Sequence, residues 1–271
     1  MLDARLEDHD GQAVADAVGP LLRDWRSRRR LSQMDLALDA GISPRHLSFI
    51  ETGRSRPSAQ VLLALAERLE MPLRERNLLL LAAGYAPRYA ERHLQADAME
   101  PVRGALQRLL DAHDPYPGLV LDRQWNVVLA NAAALGLAAL LPESLRAPRI
   151  NVFRASLHPE GLAARTVNFA EWAGYLLDTL RRAAARTGDP ALLALAREVE
   201  AYPDVRALPR SAERATPALL VPCVLDLPAG RVSLFTTLTT FGTPRDVTLD
   251  ELCIELFYPA DRATEAQLRG G

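Results

Sequence analysis

The chain has 271 residues, a length that fits two domains of ordinary size. Hydrophobic residues make up 49% of it and charged residues 24%, a globular composition that allows sizeable cores, and no apolar run is long enough to span a bilayer. The net charge of −2 does not by itself indicate a nucleic-acid partner, so any DNA-binding signal must lie in how the charges are distributed.

Residues 18–85 are predicted to form five short helices. Apolar residues recur at helical spacing through this stretch, and serines stand where helices should begin. The predicted N-caps are Ser32, Ser43 and Ser58, and the second and third helices are predicted to end at Gly41 and Gly53. Two helices joined by a tight turn that contains glycine, with further helices packed around them, make a helix-turn-helix frame.

The segment LSQMDLALDAGISPRHLSFIETGRSRPS resembles the Cro-like, phage-repressor class of regulators, also called the XRE family. The resemblance covers the whole N-terminal domain and implies double-stranded DNA as a partner. If Leu47 and Ile50 face the core, then Pro44, Arg45, Ser48 and Phe49 face outward from the third helix, and in the family that face enters the major groove.

Arg45 is the best candidate for reading a base, because its planar guanidinium can bond both acceptors on a guanine edge. Phe49 either contacts a thymine methyl group or packs into the domain, and the sequence leaves both readings open. Gln33 resembles the family's contact to a phosphate or a base edge, and Arg54 and Arg56 are expected to bind the phosphate backbone.

The resemblance also implies one pair of charged residues that does not contact DNA. Arg26 and Glu51 occupy positions that form an internal ion pair between the first and third helices in this family. Removing one partner of a buried pair is strongly destabilising. Glu51 is therefore expected to support the fold of the domain and not its sequence preference.

The rest of the chain is predicted to be a connection followed by an α+β domain. Residues 86–100 have mixed charge and form the linker, and an amphipathic helix follows at 101–113. Two strands are predicted around a turn at Asp122–Arg123, then a helix from Asn131, with longer helices at 162–186 and 190–202. Three closing strands complete an antiparallel sheet with helices on one side. Cys223 and Cys253 lie in no ligand-spacing array, so no metal and no cofactor are expected.

Three segments resemble the C-terminal domain of MmyB-like regulators, which is a PAS-like ligand-binding module. They are RQWNVVLAN, NVFRASLHPEG and FTTLTTFGTPRDVTLDELCIELFYPAD. The resemblance implies a small apolar effector, with a fatty-acid-like molecule as the leading suggestion. A sheet covered by helices can leave an apolar pocket with a few polar groups that orient a ligand. The candidate ligand-binding residues are Trp125, Phe153, Arg154, His158, Arg165, Phe169, Trp172 and Tyr175, with Asn168, Phe235 and Phe241 as further possibilities.

The predicted domains are therefore 1–85, with 1–16 as an acidic lead-in, a linker at 86–100, the PAS-like domain at 101–264 and a tail at 265–271. The predicted protein is a cytoplasmic, homodimeric regulator that binds DNA and senses a ligand. One alternative is a C-terminal domain that serves only dimerisation. A second alternative, an enzyme with an appended DNA-binding domain, is disfavoured because the chain has no GxSxG, P-loop, GxGxxG or HExxH motif.

Overall fold

A computed structural model describes residues 18–208 and 220–270. The predicted acidic lead-in at 1–16 lies outside the described residues. The described residues divide into two compact units, one made of residues 18–92 and 243–250 and the other of residues 93–208, 220–242 and 251–270. The first boundary falls within the segment predicted as a linker, and the segment 243–250 groups with the N-terminal unit although the sequence assigns it to the C-terminal domain.

The N-terminal unit is helical, with element starts close to those the serines predict. Residues 18–28 are helical and are called α1. The next helices are α2 (Gln33–Asp39), α3 (Pro44–Glu51), α4 (Ala59–Arg68) and α5 (Leu73–Ala82). Ser32, Ser43 and Ser58 each accept a backbone N–H in the first turn of α2, α3 and α4, which confirms the predicted caps. Gly41 has a φ of +69°, the left-handed conformation that the tight turn between α2 and α3 requires.

All five helices contribute to one apolar core. Trp25 from α1 is its largest member and is 2% exposed. Leu36 and Ala37 of α2 and Leu47 and Ile50 of α3 are buried, as the helical spacing predicts. Because Leu47 and Ile50 turn inward, the opposite side of α3 is left to face away from the core.

The segment 243–250 is held in the N-terminal unit by polar contacts. Asp246 forms an ion pair with Arg92 at 2.9 Å, and the backbone N–H of Val247 donates to the carbonyl of Ala90. Asp250 accepts a hydrogen bond of 2.8 Å from the backbone N–H of Leu73. Leu73 begins α5, and the N-cap residue Pro72 has no side chain that could accept a hydrogen bond from the first turn. Asp250, 177 residues further along the chain, therefore caps this helix.

The C-terminal unit is an α+β domain built on a five-stranded antiparallel sheet. Its strands are β1 (Gly118–Leu121), β2 (Val127–Ala130), β3 (Cys223–Leu227), β4 (Gly230–Thr240) and β5 (Cys253–Pro259), in the order β2-β1-β5-β4-β3. Its helices are α6 (Glu100–Asp111), α7 (Ala132–Ala138), α8 (Glu143–Arg146), α9 (Val152–Leu157), α10 (Phe169–Thr187), α11 (Pro190–Glu200), α12 (Pro203–Arg206) and α14 (Arg262–Arg269), while α13 (Val247–Glu251) lies almost entirely in the segment 243–250.

Two polar residues fix the first hairpin and the helix that follows it. Asp122 accepts hydrogen bonds from the backbone of Gln124 and Asn126, which closes the predicted turn between β1 and β2. Asn131 is 1% exposed and caps α7 by accepting from the backbone N–H of Ala134. The Asn131 amide also donates to two carbonyls at the end of α6 and beyond it, so one side chain joins three segments.

The helices depart from the sequence prediction in two places. The stretch predicted as one helix over 162–186 is a 3₁₀ turn at Leu162–Arg165 followed by α10, which begins only at Phe169. In the gap, the backbone N–H of Val167 donates to the carbonyl of Val224 in β3, so this chain segment pairs with the sheet and cannot continue a helix. Residues 265–269, predicted as a tail, belong to α14, whose Thr264 accepts from the backbone of Ser233 on β4.

Candidate DNA-binding surface and ligand cavity

The outward side of α3 carries the candidate base-reading residues. Arg45 is exposed, while Pro44, Ser48 and Phe49 are half-buried. The Arg45 guanidinium carbon lies 5.3 Å from the centre of the Phe49 ring, within range of a cation–π contact. Phe49 does not belong to the apolar core of the unit, so the ring and the guanidinium form one surface on successive turns of the helix.

Glu51 holds α3 against the two helices that precede it. Its carboxylate accepts a bidentate pair of hydrogen bonds from Arg26 of α1, at 2.7 and 3.0 Å, which confirms the internal ion pair that the resemblance implies. Gln33 of α2 donates a third hydrogen bond to the carboxylate at 2.7 Å, and Arg23 donates to the Glu51 carbonyl. Burial acts to raise the pKa of Glu51, but the hydrogen bonds from Arg26 and Gln33 and the charges of Arg26 and Arg23 lower the pKa overall.

Three further candidates lie beside this helix or before it. The Gln33 amide is committed to Glu51, so Gln33 is positioned by the network at the start of α2. Arg54 is exposed just after α3. Arg56 is also exposed, and its guanidinium donates a long hydrogen bond of 3.4 Å to the carbonyl of Ala83. Positive side chains therefore border the end of the helix that carries Arg45.

The C-terminal unit contains an apolar cavity between its sheet and its helices α7, α9 and α10. The empty space of the cavity, counted together with the solvent at its open mouth, is about 820 Å³. Its walls are formed by Pro117, Leu119, Val127, Ala130, Ala134, Leu135, Leu137, Ala138, Leu141, Ile150, Val152, Ala155, Ser156, Leu162, Trp172, Cys223, Leu225, Leu234, Glu255 and Phe257. Every strand of the sheet contributes to this lining, so the cavity sits against the inner face of the whole sheet.

Of the eight predicted ligand-binding residues, the structure places Trp172 in the cavity wall. Phe153 is fully buried in the core and packs against Trp125, with ring centres 5.0 Å apart. Phe169 and Tyr175 are partly buried and pack against the same core, where Tyr175 stacks on Trp172. The lining formed by the described residues does not include these four aromatics.

The three predicted polar ligand contacts also lie outside the described lining. Arg154 forms a bidentate ion pair with Glu198 of α11, at 2.7 Å for both hydrogen bonds, and this contact raises the pKa of Arg154. His158 packs edge-on against the ring of Tyr202, with ring centres 5.0 Å apart. Arg165 is half-buried at the end of the 3₁₀ turn. No Arg or His lines the cavity as the described residues form it.

Glu255 is the polar cavity residue that the sequence prediction missed. It is 4% exposed, although it carries a carboxyl group in the middle of β5. Its neighbours two residues away are Cys253 and Phe257, and Phe257 also faces the cavity. A charged residue on the inward side of an apolar strand is the signal that could have identified it, because strand alternation places residues i and i+2 on one face.

The N-terminal unit is a helix-turn-helix unit with an exposed arginine on its third helix, and the C-terminal unit is a sheet unit that encloses an apolar cavity. This combination is that of a transcription regulator with a DNA-binding and a ligand-binding domain. Residues 17–79 match the family model of the helix-turn-helix domain, and residues 102–270 match that of the MmyB-like transcription regulator ligand binding domain. The second match covers more than half of the sequence, so the chain belongs to the MmyB-like family of transcription regulators.

Two further comparisons add little to this assignment. No curated protein matches the chain. A solved structure, the crystal structure of the clp gene regulator ClgR from Corynebacterium glutamicum, is 24% identical over 38% of this chain and 95% of that chain, with a TM-score of 0.24. That TM-score is too low to support a structural inference. In the part of the chain that the structure describes, no helix combines the length and the apolar character that crossing a bilayer requires.

Proposed function

We propose that this regulator recognises a specific DNA sequence through the outward face of α3. The observation that carries the proposal is the exposed Arg45, supported by the Phe49 ring on a helix that Glu51 fixes in the unit. In the proposed complex Arg45 reads a guanine edge, with Pro44, Ser48 and Phe49 beside it in the major groove. Arg54 and Arg56 contact the phosphate backbone and set the orientation of the domain. Gln33, whose amide is held by Glu51, contacts a phosphate or a base edge through its second N–H.

Binding-site selection from a random duplex library tests this proposal. The full-length protein is expected to enrich one sequence, and Arg45→Ala should lose about 1–3 kcal/mol on that sequence while its preference relaxes at one base pair. Arg68→Ala, at the exposed end of α4, is the matched control and should keep both affinity and preference. An equal loss for Arg45→Ala on selected and on random DNA would exclude a base-reading role.

We propose further that the cavity binds a small apolar effector with a fatty-acid-like body, and that this effector changes DNA affinity. The support is a lining made almost wholly of aliphatic and aromatic side chains, which favours a hydrocarbon chain over a polar metabolite. Native mass spectrometry of the purified full-length protein is the test. A retained hydrophobic molecule that alters operator affinity supports sensing. A clean protein mass with no thermal shift from apolar compounds favours a domain that only dimerises.

We also propose that the protein acts in the cytoplasm as a homodimer and not as an enzyme. A single recognition helix reads too few base pairs for a unique site, and two half-sites one helical turn apart raise the specificity. The matched family of the C-terminal residues is one of transcription regulators, which supports the assignment to regulation. Sedimentation equilibrium of the full chain, with and without operator DNA, tests the dimer: a monomer mass in both conditions would refute it.

A further inference from the structure

Glu255 brings a carboxyl group into the apolar cavity without pairing it. Its side chain is hydrogen-bonded to the side chain of Thr236 on the neighbouring strand β4. Within the described residues, its Oε2 atom is buried and has no hydrogen-bond partner. Native proteins rarely leave a buried carboxylate oxygen unsatisfied, because its lost hydration is not replaced.

The position of Glu255 in the sheet explains why it faces the cavity. It pairs with Leu119 of β1 on one side and with Leu238 of β4 on the other. Leu119 in turn pairs with Ala130 of β2, and both of these residues line the cavity. Directly opposite residues of paired strands point to the same face, so Glu255 lies in an otherwise apolar row that crosses the sheet.

The groups around the carboxyl group do not compensate its charge. The other polar groups in the described lining are the Ser156 hydroxyl, the Trp172 indole N–H and the thiol of Cys223 on β3. Burial raises the pKa of Cys223 to about 12 and that of Cys253, two residues before Glu255, to about 11, so both thiols are neutral. Burial also raises the pKa of Glu255 itself to about 7. An anionic ligand would therefore meet a carboxyl group and no cation.

We propose that the effector of this regulator carries a hydrogen-bond donor, an amine or an alcohol, on its apolar body, and that Glu255 Oε2 accepts that donor. This inference rests on the proposed function of the cavity as an effector site. A donor head group satisfies the one orphaned oxygen, whereas an ionised fatty acid places a second negative charge beside Glu255 in a medium of low dielectric constant. Glu255 thus selects the head group, while the aliphatic wall accepts the chain.

Three probes with one chain and different head groups test the proposal on the full-length protein: decylamine, decanol and decanoate. Their affinities are measured by calorimetry at pH 8, where Glu255 is mostly ionised. The amine is expected to bind at least about tenfold more tightly than decanoate, because a hydrogen bond to a charged group in a buried site is worth that much or more. Decanol, which donates but carries no charge, should fall between the two.

Substitution of Glu255 then separates the amine from the alcohol. Glu255→Gln should weaken decylamine about tenfold or more, because the charge is lost, and should change decanol by less than about threefold, because an acceptor oxygen remains. Glu160→Gln, which alters an exposed carboxylate outside the cavity, is the matched control and should change none of the three affinities. The probe ranking on the unmodified protein needs no variant and holds as a test even if Glu255→Gln folds poorly.

Each other outcome overturns the inference in a distinct way. Decanoate binding as tightly as decylamine or decanol would refute a donor head group but leave the effector cavity standing. Equal affinities for all three would mean that solvent satisfies Glu255 and that the ligand does not contact it. Binding of none of the probes, with no apolar molecule retained on purification, would refute the effector cavity together with its head-group preference.

Discussion

Removing the Glu51 carboxylate should unfold the helix-turn-helix unit before it alters sequence preference. The side chain has no solvent exposure, and that of its partner Arg26 is only 15% exposed. Glu51→Ala leaves the Arg26 guanidinium and the Gln33 amide without their acceptor. Breaking a buried pair in this way costs about 3–5 kcal/mol. That loss is a large part of the roughly 5–15 kcal/mol that stabilises an ordinary domain.

The expected size of the effect can be stated as a temperature. At about 4 °C per kcal/mol for a unit of this size, a loss of 3 kcal/mol lowers the Tm of the unit by about 12 °C. Hydrogen exchange read by mass spectrometry on the full chain measures the loss of free energy directly, because peptides from residues 18–92 report this unit separately. Asp24→Ala removes an exposed partner of Arg28 and is the control, with an expected cost of about 0–1 kcal/mol.

A stable Glu51→Ala variant that cannot bind DNA would refute the supporting role of Glu51. If Glu51→Ala keeps the exchange protection of residues 18–92 within about 1 kcal/mol of the unmodified protein and still loses DNA affinity, Glu51 contacts DNA and is not a support for α3. If stability falls and affinity per folded molecule is kept, the supporting role of Glu51 stands.

Three further outcomes are expected. Arg54→Ala should weaken binding to all DNA sequences alike and reduce the slope of log affinity against log salt by about 0.9, and an unchanged slope would mean that Arg54 does not contact phosphate. Asn131→Ala should lower the free energy of unfolding by about 2 kcal/mol or more, because it leaves the N–H groups of Gly118 and Ala134 unsatisfied. Urea titrations followed by tryptophan fluorescence measure this loss, and a loss below about 0.5 kcal/mol would contradict the assigned role of Asn131. The pKa of Glu51 is lowered in the folded protein. The ionised carboxylate therefore contributes fully to stability at pH values above 4.5, the usual pKa of the group, and this contribution is lost as the pH falls through the lowered pKa. Acid titration of Glu51→Gln should accordingly give a flatter profile of stability against pH than that of the unmodified protein.

The local features of the fold could be predicted from the sequence because their causes lie within a few residues. Ser32, Ser43 and Ser58 cap the turns that directly follow them, and Gly41 supplies the left-handed turn between α2 and α3. The strands could be predicted in the same way, since apolar and β-branched residues cluster between turn-forming residues. The ion pair of Arg26 with Glu51 came from resemblance, because nothing in its spacing of 25 residues indicates contact.

The cavity could not be predicted in the same way, because its shape depends on packing between distant segments. Aromatic residues were the natural candidates, yet Phe153 fills the core and only Trp172 of the predicted set reaches the wall. From the sequence, Arg154 is a candidate for binding an anion, because nothing there indicates its ion pair with Glu198, 44 residues away. Strand alternation gives the direction of Glu255 but not the open space in front of it.

The capping of α5 by Asp250 sets an order of events during synthesis. The helices of residues 18–85 leave the ribosome early, and their apolar core contains no residue from 243–250. The acceptor for Leu73 and the partner of Arg92 arrive only after residues 93–242 have been made, on the order of ten seconds later at bacterial translation rates. A chain truncated before Asp250 therefore carries a DNA-binding unit in which α5 lacks its cap, so that unit reaches its finished form only after Asp250 has been made.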